Sequence, residues 1–240
     1  QDVIEHLIED YLSLGGDRLF GNDNALTGGV GYFRGKKVLL LGIDKGKNTN
    51  DRILRNFGMA RPEGYRKAIR LMELAGRFNL PVLSFIDTSG AYPGKGAEER
   101  GQAQAIASCV DACLKLNTPM ISTILGEGGS GGAIALTSGN VILMFEHSIF
   151  SVISPEGCAS ILWRDASKAN EAAKALKLTA KDMKKLNIID EIIQEPLGGA
   201  HRDYDKSLTF LGDSIELQLN KLLKLDPQEL KIIKQNKYLK

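Results

Sequence analysis

The sequence is poor in cysteine, in long apolar runs and in net charge. Among its 240 residues are three cysteines, Cys109, Cys113 and Cys158, an odd number without the spacing of a zinc site. No apolar run approaches the roughly 18 residues needed to span a membrane. A formal net charge of +2 predicts no broad nucleic-acid-binding surface. We therefore expect a cytoplasmic protein with reduced thiols, no metal centre, and neither a nucleic-acid nor a membrane partner.

Apolar runs of strand length alternate along the chain with segments of helical periodicity. Strands are predicted at residues 28–33, 37–43, 81–86, 120–125, 141–145, 149–153 and 188–193. Helices are predicted at residues 3–14, 62–78 and 97–116, after the glycines at 126–132, and from about residues 155, 180 and 204. We expect residues 234–240 to form a frayed, solvated basic tail. The alternation predicts an α/β fold with largely parallel strands.

The segment at residues 126–132 is the densest glycine cluster of the chain. It reads Gly-Glu-Gly-Gly-Ser-Gly-Gly and separates a predicted strand from a predicted helix. Five glycines in seven residues carry a large backbone entropy cost, which a chain keeps where something must approach its backbone closely. We therefore expect a tight turn that directs backbone N–H groups at a ligand from the start of a helix. A tight turn without any ligand is the simpler alternative.

A second loop, which contains Gly90 and Ala91, ends the preceding predicted strand. If the two strands are parallel neighbours, both loops lie at the same edge of the sheet, where α/β proteins form their sites. Backbone N–H groups from both loops would then converge on one point. That arrangement predicts an oxyanion hole.

Two short motifs in the glycine segment allow other functions. Gly126, Gly128 and Gly131 match the dinucleotide fingerprint, which would make the protein an NAD-binding dehydrogenase. The helix that fits between residues 133 and 140 is, however, short for such a crossover.

The second motif is G-x-S-x-G, in which Ser130 would be the nucleophile of a self-sufficient hydrolase. His147 or His201 would then serve as its base. A noncatalytic scaffold that keeps the fold is a further alternative.

Several longer stretches together resemble the α subunit of bacterial acetyl-CoA carboxylase carboxyltransferase. They are residues 55–68, 90–94 with 97–102, 126–132, 151–163 and 196–202, in the family's order. The resemblance implies an α/β, crotonase-like superhelix of ββα units followed by C-terminal helices. We accordingly expect a crotonase-like carboxyltransferase domain at residues 1–203, and C-terminal helices with a basic tail at residues 204–240.

The resemblance also implies a reaction. In this family a carboxyl group moves from carboxybiotin, presented by a carrier protein, to acetyl-CoA, and gives malonyl-CoA, the first committed step of fatty acid synthesis. Two oxyanions need stabilising, and each subunit type contributes one hole. The implied partners are a β-type subunit in an α2β2 assembly, the biotin carboxyl carrier protein and biotin carboxylase.

The family's site maps onto the two glycine-containing loops. The implied catalytic N–H groups are those of Ala91 and of Gly131 or Gly132. Beside them, Gly90, Gly128 and Gly129 are the implied cofactor-binding positions.

Two departures from the family pattern concern the first loop and the chain start. Ser89 stands where the family usually has proline, which leaves the Ala91 N–H available. The chain starts at Gln1, so we expect the family's N-terminal helical segment to be missing.

A basic region between residues 45 and 66 comprises Lys45, Arg52, Arg55, Arg61 and Arg66. It is interpreted either as a site for CoA phosphates or the carrier protein, or as an ordinary solvated loop.

Overall fold

The computed structural model describes residues 2–238 of the chain. The strands are β1 (Glu9–Ser13), β2 (Leu26–Phe33), β3 (Lys36–Ile43), β4 (Val82–Thr88), β5 (Met120–Gly129), β6 (Val141–Phe145), β7 (Ile149–Ser151) and β8 (Glu191–Ile193). The helices are α1 (Asp2–Leu7), α2 (Thr49–Leu54), α3 (Pro62–Phe78), α4 (Lys95–Glu98), α5 (Gln102–Lys115), α6 (Ser130–Thr137), α7 (Pro155–Trp163), α8 (Ala169–Leu176), α9 (Ala180–Lys185), α10 (Tyr204–Leu222) and α11 (Pro227–Tyr238). Short 3-10 turns lie at Asn56–Gly58 and Ala166–Lys168.

The strands form one mixed sheet in the order β1-β2-β3-β4-β5-β6-β8, while β7 pairs with the far end of β5. β1, β2 and β3 pair antiparallel, and the pairs from β3 to β8 are parallel. The predicted α/β fold with largely parallel strands is thereby confirmed.

Both faces of the sheet are buried, because its central strands are apolar at nearly every position. In β3, Leu39 and Leu41 belong to the cluster that α3 and α5 cover. Their neighbours Val38 and Leu40 point to the opposite face, with Leu208 and Leu211 of α10. The period-two alternation of strand side chains thus divides one continuous apolar run between two cores.

The predicted helix over residues 3–14 is wrong in its second half. α1 ends at Leu7, and Glu9–Ser13 pairs with β2 instead. A Cβ at Gly29 would lie 2.3 Å from the carbonyl oxygen of Leu12, so glycine in β2 makes room for this strand. Asp10 adopts a left-handed φ of 50°, within the irregular part of the β1–β2 pairing between Glu9 and Leu12. Pairing with a distant strand therefore overrides the local helical pattern.

The predicted helix over residues 97–116 is interrupted. α4 ends at Glu98, and α5 starts after Gly101, whose φ is 79°. Glycine adopts this left-handed conformation without steric cost, and no helix continues through it.

The C-terminal helices pack on the sheet rather than extend into solvent. The predicted boundary at residue 204 coincides with the start of α10, although the division into 1–203 and 204–240 stays a prediction. Within α11, Lys234 is 1% exposed, and its ammonium donates to the carbonyls of Cys113 and Leu116 at the end of α5. The expected solvated tail is therefore wrong at Lys234; Leu239 and Lys240 lie outside the described residues.

A second buried lysine, Lys67 of α3, is 2% exposed and holds the loop before β2. Its ammonium donates to Asn22 Oδ1 and to the carbonyl of Asp23, both at 2.8 Å. Burial lowers the pKa of Lys67 to about 8. Between about pH 8 and the ordinary lysine pKa of about 10.4, the unfolded chain therefore binds more protons at this position than the folded one.

We expect the free energy of unfolding of the wild type, relative to that of Lys67→Met, to rise with pH across this window. Urea denaturation at intervals between pH 7.5 and 10 measures the difference. Lys174→Met, at an exposed position of α8, is the control and should show no such trend. A constant difference between wild type and Lys67→Met would contradict the expectation.

Candidate functional site

The two glycine-containing loops lie at the carboxyl ends of neighbouring parallel strands, as the sequence predicts. β4 pairs with β5 from Val82↔Met120 to Ile86↔Ile124. The loop at residues 89–91 follows β4, and α6 begins at Ser130 directly after β5. Both loops therefore meet at one edge of the sheet.

The contact between these loops is a backbone-to-backbone contact that requires glycine. A Cβ at Gly132 would lie 2.6 Å from the carbonyl carbon of Gly90 and 2.7 Å from the nitrogen of Ala91. A Cβ at Gly129 would lie 2.2 Å from the carbonyl oxygen of Ser89. These distances are too short for any side chain, so the start of α6 lies directly on the first loop.

The glycine segment is in part a strand rather than a turn. β5 continues to Gly129, and its last residues pair with β7 as Glu127↔Ile149, Gly128↔Phe150 and Gly129↔Ser151. At Gly128 a Cβ would lie 2.9 Å from the Phe150 ring. Packing therefore explains Gly128 and Gly129, and their predicted contact with a cofactor stays a prediction.

Gly131 differs from its neighbours. A Cβ there would meet Ile106 at 3.5 Å, an ordinary van der Waals contact. The fold leaves room for a small side chain at this position, so steric crowding does not explain the glycine.

The backbone N–H groups at this edge differ in whether they have an acceptor within the protein. Gly90 N–H donates to the Thr88 hydroxyl at 3.0 Å, and Tyr92 N–H donates to the carbonyl of Ala60 at 3.0 Å. Between them, the N–H of Ala91 takes part in none of the hydrogen bonds described within residues 2–238. Gly131 and Gly132 lie in the first turn of α6, where N–H groups have no acceptor within the helix. The dipole of α6 adds partial positive charge at the same point.

Two polar side chains fix the first loop. The Thr88 hydroxyl lies 2.7 Å from the carbonyl oxygen of Gly58, and Gln102 Nε2 donates to the carbonyls of Ala60 and Tyr92, both at 2.9 Å. These bonds tie the loop to the segment before α3. Donors held in this way need little reorganisation when negative charge develops on an oxygen between them.

The structure does not assemble the hydrolase triad that the G-x-S-x-G match allows. Ser130 has a φ of 55°, as a sharp strand-to-helix turn requires. Within the described part of the chain, no hydrogen bond joins its hydroxyl to a histidine. The backbone of His147 is instead tied to the carboxylate of Glu195.

The basic region is largely neutralised by carboxylates. Arg55 pairs with Asp44 at 3.1 Å and with Asp51 at 2.7 Å. Arg66 pairs with Asp17 at 2.8 Å and with Glu63 at 3.0 Å. The region thus carries less excess positive charge than its sequence suggests.

Sequence reasoning missed a cluster at the same edge of the sheet. Asp87 and Glu127 both bind the ammonium of Lys45, at 2.8 and 2.9 Å, and the carboxylate of Asp87 also accepts the Glu127 N–H at 2.9 Å. The available signal was Asp87 at the end of a buried apolar strand. The cluster borders a cavity of about 550 Å³ beside the carboxyl ends of β3, β4 and β6 and beside Leu125 of β5.

No group of three or more histidine, cysteine, aspartate or glutamate side chains is placed to hold a metal ion within residues 2–238. In the same part of the chain, no helix has the length and apolarity needed to cross a bilayer.

Known structures share this architecture. The chain superposes on transcarboxylase 12S with a TM-score of 0.69 at 20% identity, over 87% of this chain and 40% of that one. It superposes on a Pseudomonas malonate decarboxylase hetero-tetramer with a TM-score of 0.71 at 15% identity, over 88% and 84%. These likenesses concern the fold alone, which is crotonase-like, as the family resemblance implies.

Sequence comparison identifies the family. A family model described as acetyl co-enzyme A carboxylase carboxyltransferase-like matches residues 1–240. Acetyl-coenzyme A carboxylase carboxyl transferase subunit alpha of Caulobacter vibrioides is 55% identical over 231 residues, which are 96% of this chain and 72% of that protein. Its counterpart in Methylobacterium nodulans is 57% identical over 238 residues, 99% and 75%. The chain belongs to the family of acetyl-CoA carboxylase carboxyltransferase alpha subunits. The dehydrogenase and self-sufficient hydrolase alternatives are not favoured.

The packing of the two loops predicts opposite tolerances at adjacent glycines. Gly132→Ala should lower the free energy of unfolding by about 1–3 kcal/mol, the usual effect of overpacking, because its methyl group would clash with the backbone of Gly90 and Ala91. Gly131→Ala should change it by less than half as much, since Ile106 leaves space. Urea denaturation of both variants measures the contrast, and equal losses would contradict it.

Proposed function

We propose that this chain supplies the biotin-side half of a carboxyltransferase site and needs a β-type subunit for turnover. The single observation that carries the proposal is the N–H of Ala91, which joins none of the hydrogen bonds described within residues 2–238 and lies next to the first turn of α6. The family's reaction develops negative charge on oxygen, and converging backbone donors are suited to stabilise it.

Carboxybiotin on its carrier protein would supply the carboxyl group, and acetyl-CoA would accept it. In our proposal the N–H groups of Ala91 and of Gly131 or Gly132 hold the ureido oxygen of biotin and stabilise its negative charge. Gly90 keeps the loop close to α6, while Gly128 and Gly129 form the floor beside the cofactor. Each donor of this kind is worth about 3 kcal/mol of transition-state stabilisation in comparable enzymes.

The residues suit donation of hydrogen bonds rather than proton transfer by a side chain. Ile134, one turn into α6, is apolar and packs against the core. Ser130 is joined to no histidine among the described residues. In our proposal, no side chain of this chain transfers a proton in the reaction. The role of this chain is to stabilise the negative charge on the ureido oxygen of biotin.

The acceptor side of the reaction requires a second hole, which we assign to the β-type subunit. The malonate decarboxylase neighbour is a hetero-tetramer in complex with coenzyme A, so its fold operates in assemblies of more than one chain. We propose an α2β2 assembly that works with the biotin carboxyl carrier protein and biotin carboxylase. The three free, buried cysteines agree with a reducing compartment, and we propose the cytoplasm.

The assay is malonyl-CoA-dependent carboxylation of biotin, measured with this chain alone and with a β-type subunit. We expect turnover in the mixture only. With the partner, Gly131→Val should lower kcat by about 10²-fold or more, since its branched side chain would crowd Ile106 and displace the first turn of α6, which carries the donors.

In the same assay, Ser130→Ala is the control and should retain most of the activity. Full activity of this chain alone would contradict the half-site. Near-complete loss in Ser130→Ala would instead support the hydrolase-like role of that serine.

We also propose where the β-type subunit binds. α7 presents Ile161 and Leu162 at 71% and 64% exposure, and Val152 before it is 64% exposed. β7, which leads into α7, pairs with the glycine segment of β5. This apolar surface is therefore continuous with the half-site, and a β-type subunit bound to it would place its own oxyanion hole next to the half-site.

Ile161→Lys should weaken association with the β-type subunit by at least about tenfold, because a charge would be buried in an apolar contact. Sedimentation or interferometry measures the affinity. Leu217→Lys, at an exposed position of α10, is the matched control and should not change it. Equal affinities for both variants would place the interface elsewhere.

A further inference from the structure

The pairing of β4 with β5 changes register immediately before the site. Ile86 pairs with Ile124, but Thr88 pairs with Gly128, so two steps along β4 correspond to four steps along β5. The two extra residues form a bulge opposite Asp87. Bulges of this kind occur next to active sites, where they redirect the chain.

The bulge is also the point at which β5 changes its other neighbour. Residues 121–124 of β5 pair with β6, and residues 127–129 pair with β7. The Gly129 that ends this second part leads directly into α6. The position of the bulge therefore fixes where the first turn of α6 lies relative to Ala91.

The carboxylate of Asp87 occupies the gap in the ladder. Asp87 Oδ1 accepts the Glu127 N–H at 2.9 Å, and a Cβ at Gly126 would lie 3.0 Å from the same oxygen. A side chain at position 126 would therefore crowd this carboxylate, and glycine lets it approach the bulged backbone. An interstrand side-chain bond replaces the backbone bond that the shift removes.

Lys45 closes the cluster from the end of β3. Its ammonium binds Asp87 Oδ1 at 2.8 Å and Glu127 Oε2 at 2.9 Å. A Cβ at Gly58 would lie 2.7 Å from Lys45 Cγ, so the lysine stem is enclosed on that side. Burial opposes the charge of Lys45, but the hydrogen bonds and attraction of Asp87 and Glu127 outweigh it and raise the pKa of the ammonium.

We infer that Lys45, Asp87 and Glu127 are positioning residues that set the distance between the Ala91 N–H and the N–H groups of Gly131 and Gly132. They act through the backbone of β5 and touch neither substrate nor cofactor. Two residues of strand advance a chain by about 6.6 Å, so loss of the bulge would separate the donors by several ångströms. A misplacement of about 1 Å is enough to lower a rate about 10²-fold. The inference rests on the proposed function of the two loops.

The test compares Lys45→Met and Asp87→Ala with the wild type, each assembled with the β-type subunit. We expect kcat to fall about tenfold or more, while KM for malonyl-CoA changes less than threefold. The double variant should be little worse than either single variant, because both changes release the same bulge. Lys47→Met is the matched control: this neighbouring lysine pairs with Asp2 and Glu5 rather than with the strand ends.

A second readout does not depend on activity. Backbone amide resonances of Ala91, Gly131 and Gly132 in the isolated chain should shift in Lys45→Met and Asp87→Ala, but not in Lys47→Met. Unchanged resonances, or unchanged kcat in folded variants, would overturn the inference. An inactive wild-type assembly would count against the proposed function alone, since the resonances still decide the positioning role.

Discussion

The parallel pairing of β4 with β5, and its shift of register at Asp87, is the constraint on which the site depends. Up to Ile86 the two strands pair in regular register. Beyond this point β5 pairs with β7 instead of β6 and then leads into α6. Parallel strands end at the same edge, which brings the two loops together. The shift then determines how they face each other. Thr88 and Gln102 hold the first loop by hydrogen bonds to carbonyls, while Asp87 holds the second strand.

Gly129 and Gly132, at the start of α6, are required by this close contact between the loops rather than by a need for flexibility. At Gly129 and Gly132 the backbone of one loop occupies the volume that a side chain would need. The left-handed Ser130 between them marks the sharp turn from strand to helix. The local backbone conformation is unfavourable here, and the tertiary contact between the loops compensates for it. Such conflicts are expected at functional sites. Gly131 lacks that packing reason, which agrees with the proposal that it lies beside the ligand.

Sequence reasoning succeeded where the pattern is local or repeated. The apolar runs of β3 to β6, the helix that begins at Pro62 and the meeting of the two loops all follow from periodicity and from parallel pairing. Sequence reasoning failed where the local structure depends on contacts with residues that are distant in the sequence. Residues 9–13 have helical spacing but pair with a glycine-bearing strand, and Lys234 looks like part of a solvated tail but caps the end of α5. Neither partner is near in sequence, so no local pattern could reveal it.

The amino-acid sequence by itself determined the family, the alternating α/β elements and the two loops of the candidate site, because these depend on motifs and on short-range periodicity. The tertiary structure decided the continuation of β5 through the glycine segment, the bulge at Asp87 and the pairing of Lys45 with two carboxylates. It also distinguished Gly131, where a side chain would have room, from Gly128, Gly129 and Gly132, where close packing requires glycine. These features depend on how closely strands and loops approach one another in space. Such distances are set by packing across the whole sheet, which a one-dimensional pattern does not record.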